Sequence, residues 1–135
     1  MDYITQELDT LVDEWISFRY QMHNAKTKIE EDKIQCYDME LMDICIISKL
    51  PKLGLSIILK ILEKDSSDIV MPVLAAGELE DILSLHGENI IDLVEKTAQN
   101  NLKFKKLLGG VWQAEMSYEI YKRVVIAGGG EENKW

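Results

Sequence analysis

Apolar residues recur along most of this 135-residue chain at steps of three and four, the spacing that lines side chains up on one stripe of an α-helix. The clearest stretch is 68–87, DIVMPVLAAGELEDILSLHG, where Ile69, Val70, Val73, Ala76, Leu79, Ile82 and Leu83 share a stripe. Asp68 is placed to cap this helix, and Pro72 falls in a first turn that has no intrahelical N–H to lose. Gly87, just past His86, is placed to stop it. The small run Ala75–Ala76–Gly77 leaves room for a neighbouring backbone to come close.

The same pattern predicts further helices on both sides. Tyr3 to Tyr20 places Ile4, Leu8, Leu11, Val12, Trp15 and Phe18 inward and Glu7, Asp13 and Glu14 outward, with the Trp15 indole as anchor. From 21 to 35 the period fades into QMHNAKTKIEEDKIQ, which reads as a flexible connection. Tyr37 to Leu50 is a second apolar helix, and Pro51 breaks it or restarts the chain as another. Lys52 to Lys64 is apolar around most of its circumference, as a helix sandwiched between others is; a buried strand over 55–62 is the alternative that the helical register on either side disfavours. Glu88 to Gln99 is a further helix, Asn100–Asn101 a cap, Leu102 to Leu108 a short helix holding Phe104, and Val111–Trp112 a packing plug. Ser117 or Glu119 starts a last helix that the glycines 128–130 end. The fold class is therefore all-α: six or seven antiparallel helices in one domain over 1–127, with 128–135 as a frayed tail. A HEAT-like stack of helical hairpins and a compact irregular bundle both fit.

Charge narrows the partners. The formal net charge is −9, and the acids are unevenly spread: eleven acids and five bases in 1–50, nine and four in 51–100, four and six in 101–135. Nucleic-acid binding needs clustered Lys and Arg to neutralise phosphates, so such a balance argues against it. A positively charged protein partner suits it, as does solubility alone. The N-terminus has acids where a signal peptide has a basic region, and no apolar run approaches the ~20 residues of a membrane span; a cytoplasmic protein without membrane association is expected. Cys36 and Cys45 are too few for a disulfide framework or a thiolate metal site.

Catalytic chemistry finds little support in the residues. Glu80, Asp81, His86 and Glu88 are the one cluster suited to acid–base work or a divalent ion, but no HExxH or Glu-x-x-His spacing accompanies them. His86 at a helix end is more simply a partner for the negative pole of the helix. Glu80, at the border of the apolar stripe, needs hydrogen-bond donors, with a helix N-terminus or the Trp112 indole as candidates. The glycine pairs lack the Lys-Ser/Thr of a phosphate loop. No enzyme, metal or cofactor is expected on these grounds; a metal-dependent enzyme using the His86 region is kept as an alternative.

Two segments, LAAGELEDILSLHG at 74–87 and IDLVEKTAQNNLKFKKLLGGVWQ at 91–113, resemble a widespread bacterial family of small helical domains without an assigned function. The shared pattern falls on Gly77, Leu79, Glu80, Asp81, His86, Gly87, Ile91, Glu95, Ala98, Phe104, Val111 and Trp112. The family commonly has Pro where this chain has Glu78 and Leu102. The resemblance implies structural roles for Gly77, Leu79, Glu80, His86, Gly87, Phe104 and Trp112, beside Trp15, and implies no catalytic residue. By size, charge and helical character the chain is also similar to immunity proteins of contact-dependent inhibition systems, which neutralise a toxin.

Together these features lead to the expectation of an immunity protein that binds a cognate bacterial toxin, with a basic nuclease domain as the natural target for an acidic surface. The acidic ground would be Asp9, Asp13, Glu14, Glu78, Asp81, Glu88, Asp92 and Glu95, if the first helix lies near the central pair. Tyr37, Tyr118 and Tyr121 are candidate exposed aromatics beside it. A helical adaptor or scaffold is the alternative.

Overall fold

The computed structural model describes residues 2–47 and 50–135, with side chains in the first helix from Thr5 onward; Ile4, expected inward, lies outside the described side chains. Its helices are α1 (Asp2–Asn24), α2 (Lys28–Asp32), α3 (Met39–Ile47), α4 (Pro51–Lys64) and α5 (Met71–Leu74). α5 runs through a π-helical turn (Ala75–Leu79) into α6 (Glu80–Asn100), followed by α7 (Leu102–Leu108), α8 (Tyr118–Ala127) and a final 3₁₀ turn (Glu131–Asn133). The fold is all-α, as the apolar spacing predicts, and the described residues contain no strand. α4 and α6 form its centre. α1 and α3 pack on α4, α8 and α7 pack on α6, and α7 also reaches α4 and α5. One core joins Leu11, Val12 and Trp15 of α1 to Ile57, Ile58 and Ile61 of α4, to Leu79 and Ile82, and to Phe104 and Val124.

Local signals set several helix ends. Pro51 and Pro72 both sit in first turns, where a missing N–H costs nothing. Asn101 Oδ1 accepts from Phe104 N at 3.1 Å and Ser117 Oγ from Ile120 N at 3.2 Å, so both expected caps are in place. Ahead of α5, Ser67 rather than Asp68 meets the free amides: its carbonyl accepts from Met71 N at 2.9 Å and from Val70 N at 3.2 Å.

The central helix departs from uniform geometry. Its buried positions are Val70, Leu74, Glu78 and Ile82, and beside them Met71, Ala75, Leu79 and Leu83, two rows with a step of four. Four residues of α-helix turn about 400°, so such rows drift by about 40° at each step. The wider π turn takes up that drift. Val73 and Ala76, expected inward, are therefore exposed, while Leu74, Ala75 and Glu78 face the core. A Cβ at Gly77 would meet nothing within 4 Å, so the close approach expected there is absent; Ala75 makes it instead, its Cβ lying 3.0 Å from where a Gly110 side chain would begin.

Gly87 does not end the helix. The chain kinks at His86 (φ −129°, ψ 15°) and continues to Asn100, joining two stretches that the sequence separates. A Cβ on Gly87 would lie 2.9 Å from Ile120 Cγ2, so the glycine lets α8 close on the kink. His86 is a mid-helix residue, and its Nε2–H donates to the Ile46 carbonyl at 3.1 Å, tying α6 to α3.

The interval 21–35, expected to be a flexible connection, is partly helical: α1 extends to Asn24, and Thr27 caps the short exposed α2. The end of the chain is docked rather than frayed. Trp135 N donates to Gly109 O at 3.0 Å and its indole Nε1 to Lys106 O at 2.7 Å, while Lys134 Nζ reaches Tyr121 Oη. Val111 is buried, but Trp112, expected as a plug, is 60 % exposed with Lys134 Nζ 4.3 Å from a ring centroid.

Candidate functional site

The segment between α2 and α3 crosses α1 and divides its surface. Tyr37 stacks edge-on against Phe18, with centroids 5.4 Å apart and planes at 69°. Its neighbours point to either side. Asp38 enters a cleft of about 580 Å³ whose walls also carry Glu7, Glu14 and Glu40 over the apolar Leu41 and Ile44. Cys36 lines a smaller one of about 280 Å³ with Asp13, Glu14 and Ser17. None of Glu7, Glu14, Asp38 and Glu40 is paired with Lys or Arg among the described residues. Four carboxylates without a basic partner among the described residues thus share a cleft with the half-buried Leu41 and the exposed Ile44, and Asp38 Oδ1 also caps α3 by accepting from Leu41 N at 3.0 Å.

Beneath Tyr37 the Arg19 guanidinium lies over Trp15, Phe18 and Tyr37, at 4.8, 5.0 and 5.7 Å from the ring centroids. Such stacking stabilises a cation held partly out of water. Glu78, delivered here by the π turn, is 8 % exposed. Burial pushes its carboxyl above the ordinary range, and the charge of Arg19 only partly offsets this. Glu78 Oε1, Arg19 Nε and Trp15 Nε1 are all buried without a hydrogen-bond partner. Burial, then the Glu78 charge, raises the Tyr37 phenol as well. π turns of this kind are frequent at functional sites.

The acids singled out in the sequence do not form one patch. Glu78 is inside the protein and cannot belong to an exposed surface. Asp9 and Asp13 pair with Lys60 and Lys64 of α4 at 2.9 and 2.6 Å. Asp92 and Glu95 share Arg123, which meets Asp92 Oδ1 at 2.7 Å and Glu95 through both Nη2 (2.6 Å) and Nε (3.0 Å). Asp81 is exposed, its carboxyl held high by partial burial and by Asp43. Glu88 lines a separate cleft of about 210 Å³ beside His86 and Ser117. Glu14 alone reaches the acidic cleft. Asp38 and Glu40 were missed because nothing local says that the 35–38 segment crosses α1. Glu80 is bridged as its position requires, although the donor is the Trp112 backbone N–H, at 3.4 Å, and not the indole. Tyr118 is exposed, and Tyr121 is half-buried beside Lys134. Among the described residues no three His, Cys, Asp or Glu side chains converge as metal ligands do, and no helix is long and apolar enough to cross a membrane.

Fold and cleft together define a small all-helical domain with an acidic groove at one edge of its bundle. The chain belongs to DUF6869, a family of unknown function, whose profile matches residues 24–130. The matched span begins at the last residue of α1, so Glu7, Glu14, Trp15 and Arg19 lie outside it. No curated protein and no solved structure matches the chain.

Proposed function

We propose that this domain is a protein-binding module whose acidic cleft receives a basic protein surface, in the manner of an immunity protein that neutralises a toxin domain. The observation that carries this reading is a set of carboxylates, Glu7, Glu14, Asp38 and Glu40, that have no basic partner among the described residues and line one cleft with Leu41 and Ile44. A net charge of −9 adds a long-range field that draws a cationic partner in, and the apolar floor gives it area to bury. Asp9, Asp13, Asp92 and Glu95 elsewhere on the surface are neutralised by Lys60, Lys64 and Arg123, whereas the acids of the cleft meet no Lys or Arg among the described residues.

The test is capture from the native host's lysate with tagged protein, in low and in high salt. One basic protein should be recovered at a one-to-one ratio, released by salt, and lost with Glu7→Lys plus Glu14→Lys but retained with Glu88→Lys. Recovery undiminished by the double reversal, or no recovery in either salt, overturns the proposal.

A further inference from the structure

A second face of the molecule carries the opposite charge. α7 exposes Lys103, Lys105 and Lys106, none paired with an acid among the described residues. Leu102 beside them is 82 % exposed and Ile126 of α8 69 %. Trp135 is laid against Gly109 and Gly110, where any Cβ would fall within 2.6 Å of its neighbours, so its position is fixed while its outer edge stays 44 % exposed. Shallow clefts of about 440 and 370 Å³ flank this ridge and share Leu102 and Lys105 in their walls. Large apolar side chains gathered on one face and rimmed by charge mark a contact surface.

We propose that this ridge docks in the acidic cleft of a second copy of the chain, so that copies associate through unlike faces. The inference rests on the reading of the cleft as a receptor for basic protein surface, and it names one such surface that fits: the chain's own. The charge complementarity is direct, Lys105 and Lys106 against Glu7 and Glu14, with Leu102 and Trp135 over Leu41 and Ile44. The net charge of −9 opposes the approach of two copies at long range, so only a contact between unlike faces offsets it. At physiological ionic strength, charges more than about 8 Å apart are screened, so the two faces in contact decide the outcome. Exposed ion pairs contribute little each, so the association is weak and reversible. Contact between unlike faces builds rings or open chains unless its rotation closes early. A foreign basic partner would compete with it for the cleft.

Sedimentation velocity of the full chain, from micromolar to about 1 mM, covers the affinities such a contact can reach. The sedimentation coefficient should rise with concentration. Glu7→Lys with Glu14→Lys, or Lys105→Glu with Lys106→Glu, should each weaken association by about tenfold or more. Combining all four in one chain should restore it, because the charges are exchanged rather than removed. All four side chains at issue are exposed, and unchanged circular dichroism and melting establish that each variant is folded. A wild-type monomer at every concentration, association indifferent to either reversal, or failure of the fourfold variant to recover overturns the proposal. A monomer whose capture of a foreign basic protein still depends on Glu7 and Glu14 sinks the self-pairing alone; rescued self-association with no foreign partner captured sinks only the immunity reading.

Discussion

Glu78 is the residue at which fold and chemistry conflict. A carboxylate inside the protein with an unpartnered oxygen costs about 1–3 kcal/mol relative to a satisfied one. Arg19 is close enough to favour its charge but makes no ion pair with it. Glu78→Gln keeps the shape and removes the charge, so it should stabilise the domain at pH 7 by about 1 kcal/mol, or roughly 3–5 °C in melting temperature. A lower melting temperature would mean that Arg19 compensates the carboxylate in solution. Two glycines make a complementary pair. Gly77 has open space where a Cβ would sit, so Gly77→Ala should stabilise by ~0.5–1 kcal/mol through the unfolded chain and helix propensity. Gly87→Ala drives a methyl onto Ile120 at 2.9 Å and should cost about 1–3 kcal/mol despite the same propensity gain. Denaturant melts of the two variants check both; equal signs would mean that Ile120 can move aside.

At the scale of elements, legibility follows the range of the interactions involved. The caps at Asn101 and Ser117, the prolines at 51 and 72 and the apolar α4 are written within a few residues, and all are in place. The π turn was also written locally, as the four-step row Val70, Leu74, Glu78, Ile82, but it is hidden by the glutamate standing in a core position. The kink at His86 was not, because Gly87 reads as a stop until Ile120, more than thirty residues on, is known to pack there. The same holds for the chain end: Gly128–Gly130 and a charged tail suggest fraying, while the anchor for Trp135 is Lys106 of α7 and Gly109 just past its end. Trp135→Ala should therefore lower stability by about 1–2 kcal/mol, since it removes a hydrogen-bonded indole that covers Gly109 and Gly110. Thermal melting and amide exchange over 128–134 measure it; no change in either would return the segment to a frayed tail.

For the molecule as a whole, composition made the excess of acid plain, but which acids remain unpaired depends on helix packing. Asp9 and Asp13 are spent on Lys60 and Lys64 only because α1 lies along α4. That distribution fixes how stability responds to pH. Lys60 holds Asp9, and Arg123 holds Glu95, below the ordinary carboxylate range. Burial raises Asp65, but hydrogen bonds from Ser67 and from Tyr20 Oη at 2.6 Å outweigh it and leave the group low. These three bind fewer protons folded than unfolded as the solution is acidified, so their stabilisation, complete near neutrality, is lost below about pH 4. Glu78 and Asp81 have the opposite sign. Burial holds both high, so the folded state takes up protons before the unfolded chain does, and stability rises as pH falls from neutral toward the ordinary carboxylate value of about 4–4.5. Stability should therefore pass through a maximum between the ordinary carboxylate range of about 4–4.5 and neutrality, and then fall. Denaturant melts between pH 3.5 and 8 at fixed ionic strength trace the profile, with the end points set at about the range over which carboxylates titrate. In Glu78→Gln the rise from pH 7 to 5 should shrink while the fall below pH 4 persists, since the paired acids are untouched. A wild-type profile that is flat or declining from pH 7 to 5 would show that Glu78 and Asp81 ionise as exposed acids do, and that the cluster beneath Tyr37 is open to water.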